Sequence, residues 1–294
     1  VSLIAQLLIY GVLAAAIFSL VAVGFYLIFS IVRFFHFAHA AVFTCGAYSV
    51  FLLNARCGLP LFFAILVAVV LCSLLGCAMY LAVYRPLRRK GTSSLILLLA
   101  SLGLYAVFQN LISLAFGDDT KTIRTGAVTE GMNLLGARIT SIQVTIVCFS
   151  IALVVGVWIF LKRTKIGMVM RAVADDLELA RVSGIDSDRI ILWTFAISSA
   201  LAGIAGILVA FDTDMTPTMG LNVLLMGVVA VIIGGSGSIP GVALGALFLG
   251  LAQHLGVWGI SSQWQDAIAF IILLAFLLVR PEGVLGKRVT KATV

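Results

Sequence analysis

The chain has 294 residues, of which 62% are hydrophobic and 11% charged, and a formal net charge of +7. Its mean hydropathy of +1.20 excludes a water-soluble domain of this length, which would need far more polar surface. Apolar runs of about 20 residues, the length that crosses a bilayer core, follow one another along nearly the whole sequence, so the expected fold class is all-α, a polytopic transmembrane helix bundle.

Taken in chain order, the runs predict spans at 3–30, 34–54, 60–84, 93–116, 141–161, 190–211, 219–235, 240–258 and 264–280. The range of eight to ten spans fits the length at roughly 25–30 residues per span and turn. The runs are continuous rather than alternating, which excludes barrel strands. The first run starts at Val1 and is too long for a cleaved signal core, so it is read as the first span. The second begins with Arg33, His36 and His39 and is expected to be a broken or re-entrant helix. One transmembrane domain over 1–294, without a soluble appendage, is the expected organisation.

Lysine and arginine set the orientation. One side of the predicted topology carries Arg33, Arg85, Arg88, Arg89, Lys90, Lys162, Arg163, Lys165, Arg171, Arg181, Arg189, Arg280, Lys287, Arg288 and Lys291. The other side carries Arg56, Lys121, Arg124 and Arg138. The bias puts 162–189 and the C-terminus in the cytoplasm, and the N-terminus, the 117–140 loop and the Asp212/Asp214 turn outside. The basic balance therefore needs no nucleic acid. Cys45, Cys57, Cys72, Cys77 and Cys148 include no CxxC pair and read as small apolar residues. The small pairs Ala202/Gly206, Gly241/Gly245 and Ala246/Gly250 are spaced for close helix contact.

One segment does not fit the oily chain. The run RTKIGMVMRAVADDLELARVSGIDSDR (Arg163–Arg189) holds ten charged side chains. Val173, Leu177, Ala180 and Gly184 recur at helical spacing, with Asp175, Asp176 and Glu178 expected in early turns, where negative charge suits the helix dipole. Gly184 stands where the helix would stop, and Asp186–Asp188 offers an N-cap for re-entry. A solvated connector would need only a few residues. Five acids spread over about 14 residues among arginines make a poor metal cage. A short helix with small residues and flanking charge suits docking to a cytoplasmic partner.

Polar residues inside the spans are path candidates. His36 and His39 sit three apart, as a packing pair, a pH switch or a metal pair. Gln109 and Asn110 line a wet path or bond between helices. Asn222 opens the seventh run as a cap or a path residue, and Asp266 is expected on the outer rim of the last span. The segment GGSGSIPG (Gly234–Gly241) lacks the Gly-Lys-Ser/Thr ending of a phosphate loop. No acid pair or Ser/His/Asp set indicates catalysis, and the chain is expected not to be an enzyme. No acid lies mid-span as a proton-coupled carrier would need, and a channel needs no long docking loop; secondary transporter and channel remain the alternatives of another class.

The segment RAVADDLELARVSGIDSDR (Arg171–Arg189) resembles the coupling loop of ABC importer permeases. Glu178-Leu179-Ala180 followed by Gly184 is similar to their Glu-Ala-Ala-x-x-x-Gly motif, with Leu179 for the first Ala. The Pro that ends the broader motif is missing after Ile190–Leu192, a departure that fits the branched-chain amino acid importer permeases. FHFAHAAVFTCGAY (Phe35–Tyr48) resembles the Asn-Phe-Ala-His-Gly segment of that family, with His36 for Asn and Ala40 for Gly. SLGLYAVFQN (Ser101–Asn110), GGSGSIPGVALGALFLG (Gly234–Gly250), ISSQWQDAIAF (Ile260–Phe270) and RPEGVLG (Arg280–Gly286) resemble it further.

The resemblance implies a permease subunit of an ATP-driven importer in a bacterial inner membrane. Its implied partners are a second, related permease chain, two cytoplasmic ATPase subunits, an extracytoplasmic substrate-binding protein and membrane lipid. No cofactor is expected in this chain, ATP and Mg being bound by the ATPase subunits. Arg171, Asp175, Asp176, Glu178, Ala180 and Gly184 are the expected coupling residues, and His39, Gln109, Asn110 and Asn222 the candidate path residues. The cargo is expected among branched-chain and other hydrophobic amino acids, with urea or short amides as the alternative within the family.

Overall fold

The computed structural model describes residues 2–123, 131–134, 137–235 and 237–286. Arg124, Lys287, Arg288 and Lys291, all counted in the charge split, lie outside the described residues. In chain order the helices are α1 (Ser2–Val32), α2 (Ala38–Phe51) with a widened turn over Leu52–Arg56, α3 (Leu61–Met79) with a widened turn over Tyr80–Tyr84, α4 (Arg85–Arg89) and α5 (Ser94–Phe116). A short antiparallel hairpin, β1 (Met132–Leu134) with β2 (Ala137–Ile139), precedes α6 (Ser141–Arg163), α7 (Lys165–Asp175), α8 (Leu177–Val182) and α9 (Ser187–Asp212). Then follow α10 (Met219–Gly234), α11 (Ile239–Gly256) and α12 (Gln265–Val279).

Among the described residues, eight helices are long and apolar enough to cross a membrane. The expected ninth, at 219–235, is α10 with 16 residues. It rises about 24 Å at 1.5 Å per residue, short of a bilayer core of about 30 Å. The third span runs on as one helical rod to Arg89, which places Arg85, Arg88 and Arg89 on a helix end rather than in a loop. The expected break in the second run falls at 33–37, between α1 and α2.

The chain divides into two compact units. One comprises 1–26, 130–154 and 225–294. In it Gly245 lies against the backbone of Ala230 and Gly234, and Gly250 against Gly11 and Ala15, as the small-residue spacing predicts. Val284 and Leu285 donate their amides to the Ile233 and Gly234 carbonyls at 2.8 and 3.1 Å, so the segment after α12 satisfies orphan acceptors at the end of α10. Gln6 accepts from the Arg138 amide at 2.8 Å and donates to its carbonyl at 3.0 Å, which holds the hairpin on α1. Asp266 is exposed in the first turn of α12.

The other unit comprises 27–129 and 155–224. Its centre is α2, flanked by α3, α5 and α9. The approach of α2 to α9 needs glycine. A Cβ on Gly46 would strike the Gly203 backbone, and one on Gly206 the Phe43 carbonyl. Cys72 packs its sulfur into the same place, within 2.6 Å of where a Gly203 Cβ would stand. Cys45 and Cys77 are half-buried and Cys148 is exposed, so the expectation of core cysteines holds fully for Cys72 alone among those in helices. At one end of this unit Lys121 and Met215 exchange backbone hydrogen bonds of 3.0 and 2.8 Å, joining the loop after α5 to the turn after α9.

Candidate coupling site

The polar run forms two helices rather than one. Thr164 caps α7, its hydroxyl accepting from the Gly167 amide at 3.0 Å. Gly167, Met170 and Val173 are the buried face of α7, a spacing of three that leaves the remaining faces to solvent. The break comes at Asp176, which turns extended (φ −147°) and caps α8 by accepting from the Glu178 and Leu179 amides, both at 2.9 Å. An Asp in helical sequence competes for backbone amides in this way. Asp176 and Glu178 therefore suit the N-terminal dipole of α8 as expected. Asp175 does not: it is the last residue of α7, at the end where negative charge is unfavourable.

Gly184 ends α8 with φ +81°. Its amide donates to the Arg181 carbonyl and that of Ile185 to the Ala180 carbonyl, each at 3.0 Å. A left-handed residue here closes the helix, and glycine adopts it without a Cβ clash. Nothing lies within 4 Å of where a Gly184 Cβ would stand, so the constraint is the backbone angle and not space. Asp186 then caps α9, accepting from the Arg189 amide at 3.2 Å.

Ala180 corrects the expectation of a small-residue docking face. It is buried, while Leu179 is 64% and Val182 87% exposed. The outward surface of α8 is thus two apolar side chains beside Glu178 and Arg181, also exposed. Arg171 is exposed on α7. Leu179 and Val182 stand in the sequence among several large apolar residues of the most polar stretch, and nothing local marks them as the outward ones.

Asp188 anchors the loop. Its Oδ1 accepts from Tyr80 at 3.2 Å, and its Oδ2 from Arg85 Nε at 3.0 Å and Arg89 Nη2 at 3.1 Å. The first turn of α9 is thereby held to the rod of α3 and α4. A second attachment comes from Arg33, whose guanidinium donates to the Ala174 carbonyl at 3.0 Å. Neither contact is visible in local sequence, since the partners lie about a hundred residues away or more.

The break between α1 and α2 adjoins this site. Ser101 of α5 is fully buried; it accepts from the Phe37 amide at 3.1 Å and donates to the Phe35 carbonyl at 3.0 Å. It satisfies the amide of Phe37, whose own side chain makes no cap hydrogen bond at the start of α2. His36 is fully buried, its Nδ1 3.0 Å from the Tyr84 hydroxyl and its ring edge-on to Tyr84 and Phe195. Burial, and then the neighbouring His39, push its pKa well below the ordinary histidine value. The His36 and His39 ring centroids are 6.0 Å apart. Among the described residues no group of three or more His, Cys, Asp or Glu is arranged to hold a metal.

The four path candidates sit on three helices. His39 is fully buried in the first turn of α2. Gln109 is half-buried on α5, while Asn110 is exposed and donates to the Ala106 carbonyl of its own helix at 2.7 Å. Asn222 is exposed, one turn inside α10, which starts at Met219; it is therefore not the terminal cap.

The family described as branched-chain amino acid transport system / permease component matches residues 7–277. The chain belongs to this permease family. The permease is 32% identical to the high-affinity branched-chain amino acid transport system permease protein BraD of Pseudomonas aeruginosa, over 96% of this chain and 95% of BraD. It is 30% identical to the corresponding LivH of Escherichia coli, over 94% of each chain. A probable branched-chain amino acid transport permease protein, LivH of Methanocaldococcus jannaschii, is 27% identical over 91% of this chain and 88% of its own. Among solved structures, the permease is similar to PsaBC from Streptococcus pneumoniae in complex with Fab, with TM-score 0.48 and 16% identity over 96% of this chain and 91% of that one.

Proposed function

We propose that the chain is a membrane-spanning subunit of an ATP-driven ABC importer and forms part of the path for branched-chain or other hydrophobic amino acids. The observation that carries this reading is the pair Leu179 and Val182, exposed on a short helix that Asp176 starts and Gly184 stops, in a chain of this permease family. Two large apolar side chains on an otherwise charged surface suit a groove in a soluble partner. Glu178 and Arg181, beside them, fix register by charge.

In this reading the partners are two ATPase subunits, one of them docked at α8, a related permease chain, and a binding protein on the far side that delivers the cargo. ATP and Mg belong to the ATPase subunits, and this chain hydrolyses nothing. Asp176, Glu178, Ala180 and Gly184 shape the coupling helix, while Arg171 and Asp175 flank it. Residues 162–189 and the C-terminus face the cytoplasm of a bacterial inner membrane. His39, Gln109, Asn110 and Asn222 remain the proposed path residues. Of these, Asn110 and Asn222 are exposed in the single chain, and an amide facing hydrocarbon is costly, which favours a wet or partner-covered position.

The test is reconstitution of the permease with its partner subunits in proteoliposomes. ATP-dependent uptake of labelled leucine is expected. Uptake of labelled urea without leucine would reassign the cargo within the family. Nucleotide hydrolysis by the purified single chain, or uptake indifferent to ATP, would defeat the importer reading.

A further inference from the structure

Arg33 is, among the described residues, the non-glycine residue with positive φ, at +57°. It directly follows the last residue of α1, the position where helices usually end on glycine because a Cβ is strained there. A strained residue persists when something holds it. Here the side chain does: Arg33 is exposed, and its guanidinium donates to the Ala174 carbonyl at 3.0 Å. That carbonyl is one of the orphan acceptors in the last turn of α7, an end that favours a cation. It adjoins the kink at Asp176, where α7 gives way to α8.

The chain after Arg33 is gripped. Phe34 is buried against Tyr84, with ring centroids 5.1 Å apart. Ser101 holds the backbone of Phe35 and Phe37. Then α2 begins, buried and locked to α9 through Gly46, Gly203 and Gly206. Besides its buried faces, the loop is thus held within this unit by polar contacts of Asp188 with Tyr80, Arg85 and Arg89 and of Arg33 at the start of the α1–α2 break.

We propose that Arg33 is a positioning residue of the transport cycle, transmitting displacement of the coupling loop to the α1–α2 break and so to α2. The proposal rests on the importer reading above. It assigns to Arg33 no contact with cargo or nucleotide. The guanidinium, a permanent cation with N–H donors in a planar fork, suits a carbonyl at a helix C-terminus.

The experiment compares R33G, R33A and R33K in the complete importer, reconstituted with its ATPase subunits and binding protein. Three quantities are read: assembly, ATP hydrolysis, and labelled leucine taken up per ATP hydrolysed. R33G relieves the backbone strain and removes the guanidinium. It is expected to assemble and hydrolyse ATP within twofold of wild type, with uptake per ATP reduced at least fivefold. R33A is expected to show the same reduced ratio with lower thermal stability, and R33K to recover part of the ratio. An R33G importer with the wild-type ratio overturns the proposal. So does failure of R33G to assemble, because Arg33 would then serve folding. Wild-type proteoliposomes that take up neither leucine nor urea with ATP would instead count against the importer reading, a result independent of the variants.

Discussion

The Tyr80 hydroxyl donates to Asp188 Oδ1 across 3.2 Å, tying the widened turn after α3 to the first turn of α9. Arg85 and Arg89 complete the same carboxylate. The side chains of Asp188 and Arg85 are 31% and 37% exposed and that of Arg89 is 64% exposed, so solvent screens the ion pairs and each is worth about 0–1 kcal/mol. The three hydrogen bonds act as one unit. D188A is expected to lower stability by about 2 kcal/mol, read as a fall in thermal midpoint in detergent. Combined with R85A it should cost less than the sum of the two single changes; strict additivity would deny the cluster.

G184V is expected to strain the left-handed stop of α8 by roughly 1–2 kcal/mol. Because the Cβ position is open, Asn, which tolerates that angle, should be nearly silent. The prediction is membrane levels unchanged in both variants, with uptake lost in G184V and retained in G184N. Equal uptake in G184V and wild type would make the stop irrelevant.

L179D and V182D place charge on the exposed apolar surface of α8. Neither side chain supports the bundle, given exposures of 64% and 87%. Expression should be normal, and recovery of the ATPase subunits in a detergent pull-down should fall about tenfold, equivalent to about 1.4 kcal/mol. Unchanged recovery would show that α8 is not the contact.

A single cysteine at Ser183, in a chain without the five native ones, should react with an impermeant maleimide only after the cytoplasmic side is opened. One at Ser141, the first residue of α6, should react in intact cells. The reverse result would invert the topology.

His36 gives a pH dependence. Its folded pKa lies below the ordinary value of about 6.5, by burial first and His39 second. The unfolded chain therefore binds a proton below about pH 6.5 that the folded one refuses, and the stability present above that value is lost as pH falls. The thermal midpoint should drop between pH 7 and 5, and H36N should drop less. Parallel curves would show that His36 contributes nothing to the slope.

Spans and the short helix stopped by Gly184 were legible because both are local. An apolar run of twenty residues and a glycine after a short helical pattern carry their meaning within one window. The break at Asp176 was half visible: an acid two residues before Glu178 can cap, but helical spacing ran through it. Ala180 was misread because periodicity tells which residues share a face without telling which face turns inward. Arg33 and Asp188 were illegible in their roles, since each is defined by a partner about a hundred or more residues distant. The apolar run at 219–235 became the shorter helix α10, because hydropathy sees apolar content and not where a helix ends.

The contact of Gly46 and Phe43 with Gly203 and Gly206 also constrains how the chain is made. Among the eight described candidates α2 is the least apolar, and its backbone-to-backbone partner is some 160 residues downstream. A ribosome that has produced α2 has not yet produced the surface on which it rests. During synthesis α2 must wait beside α3 for α9, so a chain released before residue 212 would lack the surface on which α2 rests.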